Sequence, residues 1–230
     1  MLELIVVVGV LSMLLAIVMP IIKQSRVAVY RKQAKVEATA LAQAAIRYKA
    51  EYGFWPGEVV YDTESSVKPH PTAGGQMYGA IVVGPASFTQ RINAKGGGTA
   101  SDLLHLNTNE VFQAFCTVGK HNGSSGYARN PLNPKMISFL DMLWPETAPR
   151  GRLASSMMDF DNVDFVDPWD EPYRLIMGLN PRTRFTFEIT QNGAMVHEVS
   201  VSNVTAFAFS LGERGSRSTN YIYSAGVVAQ

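Results

Sequence analysis

Cysteine is almost absent from this chain of 230 residues: Cys116 stands alone, which excludes an intrachain disulfide as the device that holds the fold together. It falls in an apolar helical stretch and is expected to be a small buried residue. Paired metal-ligand histidines are missing as well, because His70, His105, His121 and His197 show no ligand spacing and no HExxH occurs. No GxSxG elbow surrounds a serine, and neither Gly84-Pro85 nor Gly96-Gly97-Gly98 runs into a GK[ST] ending. Hydrolytic and phosphate-loop chemistry therefore has no support at this level, and neither enzymatic activity nor a cofactor is expected. An excess of either charge is missing too. A net charge of +1, without a sustained basic run interleaved with aromatics, excludes nucleic acid as a primary partner.

What the chain does have is one long apolar run. Leu4 to Ile22 reads LIVVVGVLSMLLAIVMPII, polar only at Ser12, and is close to the ~20 residues that cross a bilayer as a helix. Charge begins immediately afterwards with Lys23, Arg26, Arg31, Lys32 and Lys35. Val27, Ala34, Ala38, Leu41, Ala45, Tyr48 and Tyr52 meanwhile keep three- and four-residue spacing. One helix is predicted through both parts, stopped by Gly53 and Pro56, a rod of roughly 75–80 Å at ~1.5 Å per residue. Pro20 removes one intrahelical hydrogen bond, so a bend or loosening is expected around Ala16 to Pro20. A secretory signal peptide would begin basic and be shorter, whereas Met1-Leu2-Glu3 begins acidic. A plain anchor gives no reason for Glu3, a carboxylate at the margin of an apolar span that calls for a cationic partner.

Beyond Gly53 the turn-rich stretches Pro56-Gly57, Pro69-His70-Pro71, Gly74-Gly75 and Gly96-Gly97-Gly98 predict a long irregular crossover. Asn107 and Glu110 form a capping pair ahead of a short helix through Val111, Phe112, Phe115 and Cys116. Further on, Phe185, Phe187 and Ile189 alternate with Arg184, Thr186 and Glu188. Asn192-Gly193 follows as a type I′ turn, and the chain returns over Met195 to Val201, an antiparallel hairpin. Val204 to Leu211 and Asn220 to Tyr223 are expected as further strands. The fold class is therefore α+β. A long N-terminal helical spine over residues 1–52, apolar first and amphipathic second, carries a globular head over residues 53–230 with a small antiparallel sheet against the outward half of the helix.

These residues carry a family resemblance. LELIVVVGVLSMLLAIVMP resembles the mature N-terminus of type IV pilins and type II secretion pseudopilins, with an acid near the start, an apolar run and a proline seventeen positions after the acid. Glu51-Tyr52-Gly53-Phe54-Trp55-Pro56 is similar to the helix end of major pseudopilins, and Asp167-Pro168-Trp169-Asp170-Glu171-Pro172-Tyr173 to their DPWGNPY turn. Tyr223-Ser224-Ala225-Gly226 is similar to their final strand. The resemblance is strong at the two ends, weak through Asn107 to Phe115 and Asn130 to Phe139, and leaves residues 57–106 unassigned. It implies a filament subunit in which Glu3 pairs with the free N-terminal amine of a neighbouring copy and sets register. Leu4 and Pro20 share in assembly, and Val8, Leu11, Leu15 and Val18 pack between helices.

The implied partners are copies of the chain itself, an inner-membrane platform protein, an assembly ATPase, a prepilin peptidase and a secretin. The implied location is the inner membrane before assembly, then an extracellular pilus or a periplasmic pseudopilus. Family members carry a basic leader and an N-methylated residue four positions ahead of the acid. Met1 is therefore expected to be an internal methionine preceded by a leader and two mature residues, a point that sequencing the DNA upstream decides. A membrane-anchored periplasmic binding protein or enzyme that does not polymerise is the competing class.

Two further constellations remain. Asp159, Asp161, Asp164, Asp167, Asp170 and Glu171 are the densest acidic cluster. They are open to two readings, a structural calcium held near Asp159, Asp161 and Asp164 or a solvated acidic loop with capping roles. Asn122-Gly123-Ser124 and Asn203-Val204-Thr205 fit the N-glycosylation sequon, which makes Asn122 and Asn203 acceptor candidates.

Overall fold

The computed structural model describes residues 2–61, 67–69, 80–84, 90–95, 103–106, 111–115, 118–121, 127–129, 132–140, 165–182, 184–191, 194–213 and 221–224. Helix α1 runs over Leu2–Tyr52, about 76 Å at ~1.5 Å per residue, and is helical without interruption across Pro20. The expected loosening before Pro20 is not seen. One lost hydrogen bond is a small fraction of the helix ladder, whose other bonds hold the chain on either side. The stop falls where the sequence places it. Gly53 takes a φ of 85° in the left-handed region, and its N–H donates to the Lys49 carbonyl at 2.9 Å. A type II turn follows, with Pro56 at its second position and Gly57 at its third with φ 82°. The Glu58 N–H donates across it to the Trp55 carbonyl at 3.0 Å.

The second half of α1 lies on a five-stranded sheet. Its strands are β3 (Ala80–Val83), β5 (Leu103–Leu106), β8 (Arg174–Met177), β11 (Ala206–Ser210) and β12 (Ile222–Tyr223), in the order β12-β11-β8-β3-β5. Three of the four neighbouring pairs are antiparallel, but β3 and β5 pair in parallel, Ala80 opposite Leu103 and Val83 opposite Leu106. The sheet is therefore mixed rather than wholly antiparallel. A second sheet of three strands, in the order β10-β9-β4, consists of β4 (Gln90–Lys95), β9 (Phe185–Gln191) and β10 (Ala194–Val201). Two small antiparallel pairs complete the described strands: β1 (Val59–Tyr61) with β2 (Val67–Pro69), and β6 (Val118–His121) with β7 (Tyr127–Arg129).

Period-2 geometry divides the core in two. On one face of the five-stranded sheet Ile81, Val83, Leu104, Leu106, Leu175, Met177, Ala206 and Ala208 meet Ala38, Leu41, Ala42, Ala45 and Tyr48 of α1. On the other, Ala80, Val82, Ile176, Phe207 and Phe209 meet Phe187, Val199 and Val201 of the three-stranded sheet. Helix, large sheet and small sheet thus form three layers, and the middle one is covered on both sides. This explains why β3 and β11 are apolar at almost every position instead of alternating.

One expectation is corrected here. The stretch read as an irregular crossover contributes β1 to β5, among them β3 between β8 and β5. The run Ala80-Ile81-Val82-Val83 has no alternation to mark it as a strand because both its faces are buried. The predicted hairpin is present as β9 and β10, Gln191 opposite Ala194, while its turn residues Asn192 and Gly193 lie outside the described residues. Val111 to Phe115 form a short helical segment ending in a 3-10 turn over Gln113–Phe115, with Val111, Phe112, Ala114 and Phe115 buried. Asn107, Glu110 and Cys116 lie outside the described residues.

Gly57 shows how closely the helix exit is packed. A Cβ added there would stand 2.4 Å from Leu106 Cδ1 and 3.0 Å from Val111 Cγ2, at a φ of +82°. Gly57→Ala is expected to destabilise the chain by roughly 2–4 kcal/mol, combining left-handed strain with overpacking. Thermal unfolding of the detergent-solubilised protein followed by near-UV circular dichroism measures it.

Candidate assembly interface

The two halves of α1 have different surroundings. From Ala34 onward the helix turns Ala34, Ala38, Leu41, Ala42, Ala45 and Tyr48 into the core, whereas from Leu4 to Ile22 the large apolar side chains described are 44–71% exposed. None of the described side chains in this run is covered by the rest of the chain. The run is long and apolar enough to cross a membrane, its nineteen residues giving about 28 Å against the ~30 Å hydrocarbon core.

The residues to which the resemblance gives assembly roles lie on this uncovered rod. Glu3 lies exposed in the first turn of α1, and Leu4 beside it is 71% exposed. Val8, Leu11, Leu15 and Val18 are exposed at a spacing of three, four and three, which aligns them on one face of the helix. Ser12, the one polar side chain in the run, donates its hydroxyl to the Val8 carbonyl at 2.8 Å and so presents no unmet donor. Such a face fits a lipid tail or another apolar helix equally well.

What fixes the rod to the sheets is a set of polar contacts that spacing alone did not reveal. Glu37 lies on the packed side of α1 and is 7% exposed. Its Oε2 accepts the Tyr173 hydroxyl at 2.8 Å, and its Oε1 accepts from Gln33 Nε2 at 2.9 Å. The Tyr173 hydroxyl also lies 3.3 Å from the Ala34 carbonyl. Burial first, and then the Glu37 carboxylate, push the Tyr173 phenol far above its ordinary range, so it remains a donor at any physiological pH. Tyr173→Phe leaves the Glu37 oxygen without this donor in a buried site and is expected to cost about 1.5–3 kcal/mol, measured by thermal unfolding.

Near the helix end, the Tyr48 hydroxyl donates to the Leu132 carbonyl and the Tyr52 hydroxyl to Asn133 Oδ1, both at 2.6 Å. Asn133 in turn donates to the Ile137 carbonyl at 2.7 Å and closes the loop that crosses the helix. Lys135 pairs with Glu51 on the outside.

The Asp-Pro-Trp turn is the second anchor. Asp167 is fully buried; its Oδ1 accepts the N–H groups of Trp169 and Glu171, each at 2.9 Å, and its Oδ2 accepts the Ser210 hydroxyl of β11. The Asp170 N–H donates to the Asp167 carbonyl at 3.0 Å, and Asp170 holds a φ of 66°. This is the position at which the similar DPWGNPY turn has glycine, and aspartate is among the few other residues that tolerate it. Trp169 projects from the turn and meets Tyr30 of α1 edge to face, centroids 5.9 Å apart. The acidic run is thus not a uniformly solvated loop, since Asp167 is turned inward as a clasp and the Asp170 side chain is exposed.

Asp159, Asp161 and Asp164, the calcium candidates, lie outside the described residues, as does Asn122. Among the described residues no group of three or more His, Cys, Asp or Glu is arranged to hold a metal ion. His70 is also outside; His105 is exposed on β5, and His121 and His197 fall in β6 and β10. Asn203 is exposed at a φ of 59°, its N–H bonded to the Pro181 carbonyl at 3.2 Å. Its side chain is accessible to a modifying enzyme. No family model, curated protein or solved structure matches the chain.

Proposed function

We propose that this chain is a structural subunit that polymerises into a type IV pilus-like or pseudopilus filament, its sheets and loops forming a globular head on the outside. The observation that carries this reading is the divided helix, with one half locked to the sheets and the other an uncovered apolar rod headed by Glu3. In the inner membrane the rod lies among lipid tails, and in the filament among copies of itself. Because bilayer and filament core are comparable solvents, it moves between them without entering water, where each large side chain would forfeit ~1.5–3 kcal/mol. The driving force is therefore packing and register rather than hydrophobic burial. Glu3 supplies the register by pairing with the N-terminal amine of the next subunit, since a lone carboxylate in that core is costly.

The resemblance in the apolar run and in the Asp-Pro-Trp turn supports the same reading and brings with it the peptidase, platform protein, assembly ATPase and secretin as partners. The test is electron microscopy of sheared native surface and periplasmic material with immunogold detection of this chain. Helical fibres labelled along their length are expected. Labelled material confined to membrane fragments as monomers would identify a non-polymerising anchored protein instead.

A further inference from the structure

The helix carries its cations immediately outside the apolar run. Between Glu3 and Glu37 the chain contains no carboxylate, while Lys23, Arg26, Arg31, Lys32 and Lys35 all fall in that interval and are all exposed. Glu37, the next acid, is turned into the core toward Tyr173 and Gln33. At ~1.5 Å per residue Lys23 stands just past Ile22, Arg26 about 6 Å past it, and Lys32 and Lys35 about 15–20 Å past it. A bilayer's headgroup layer is roughly 5–7 Å deep beyond its hydrocarbon core. When residues 4–22 fill that core, Lys23 and Arg26 sit at the depth of the phosphates. Lys32 and Lys35 lie farther out, where their attraction is weakened but not abolished by a Debye length of ~8–10 Å.

The local surface suits the same ligand. Lys23, Gln24, Val27, Ala28 and Arg31 line one open groove, with cations at its two ends and Val27 and Ala28 between them. Among the described residues of the helix Ala34 is the first that is buried, so the described sheets pack well beyond Lys23 and Arg26.

We propose that this collar binds the phosphates of anionic phospholipids in the leaflet from which the C-terminal part emerges. Lys23 and Arg26 make the contacts, and Lys32 and Lys35 add longer-range attraction. Lipid is favoured over nucleic acid because the cations abut the span at headgroup depth and are not spread along a face of the sheets. The inference rests on the membrane-embedded state described above and is independent of whether the chain polymerises.

The test is electron spin resonance of the full chain reconstituted in vesicles, comparing spin-labelled phosphatidylglycerol with spin-labelled phosphatidylcholine. At low ionic strength the anionic label is expected to be motionally restricted with about fivefold or greater preference. Near 1 M salt, where the Debye length is ~3 Å, the preference should approach parity. The double variant Lys23→Gln/Arg26→Gln should lose most of it, and Lys32→Gln/Lys35→Gln less. Equal restriction of both labels, or selectivity unchanged in the first double variant, overturns the proposal while leaving the span intact. Restriction of neither label overturns the membrane-embedded state as well. Salt-sensitive binding of duplex DNA by the solubilised chain, without lipid selectivity, would assign the collar to a different partner and overturn the proposal too.

Discussion

Cells expressing Glu3→Ala or Glu3→Val in place of the native chain are expected to yield no filaments, while the altered subunit accumulates folded in the membrane. In the proposed assembly the carboxylate meets the N-terminal amine of a neighbour inside an apolar core. Removing one partner of such a pair leaves a buried charge uncompensated, at about 3–5 kcal/mol per subunit. That corresponds to a loss of roughly two to three and a half orders of magnitude in subunit association, applied at every addition. Glu3 is exposed and far along the rod from the sheets that hold the second half of α1, so folding of the C-terminal part should not change. Electron microscopy of sheared material measures polymer, and limited proteolysis of the membrane fraction measures folding. Filaments of normal number and length from either variant would sink the assembly scheme.

The largest effect on stability is expected at Asp167. Asp167→Ala removes the acceptor for the N–H groups of Trp169 and Glu171 and for the Ser210 hydroxyl, all in a buried turn. A loss of about 3–5 kcal/mol should follow, seen as a large fall in the unfolding midpoint in detergent. The pH dependence separates charge from shape. Burial raises the Asp167 pKa above its ordinary 3.8, against the opposing donors Ser210, Glu171 N–H and Trp169 N–H, and the Glu171 charge adds to the rise. The native state therefore holds this proton more tightly than the unfolded state does. The linked contribution to stability is fully present below the ordinary value of 3.8 and is lost as pH rises through the raised folded-state pKa. Asp167→Asn keeps the Oδ1 acceptor and cannot ionise. It should be less destabilising than alanine and should remove this fall in stability with rising pH. A variant with the same slope as the native chain would place the titration on another group.

Much of the architecture was legible in order of residues. The nineteen-residue apolar run, the three- and four-residue spacing from Val27 to Tyr52 and the glycine after it define α1 almost to the residue. The alternation around Phe187 marks β9, because a strand with only one face in the core writes a period of two into its sequence. β3 was missed for the converse reason, since a strand covered on both faces has no such period, and its parallel partner β5 is twenty residues away. Asp167 stands in an acidic run and opens the Asp-Pro-Trp turn, and neither setting marks it as buried. Nothing in the neighbouring sequence marks Glu37 as buried, because its partner Tyr173 lies 136 positions later.

The sequence alone therefore determined that one long helix, apolar over Leu4 to Ile22 and amphipathic after it, precedes the sheets, and where that helix stops. Both follow from short-range spacing and from backbone limits that each residue carries with it. Only the tertiary structure decided which carboxylates are buried, that the large sheet includes a parallel pair, and that the first half of the helix is left uncovered. Those outcomes depend on pairings between residues scores of positions apart, and a pairing of that kind leaves no periodic trace in the chain.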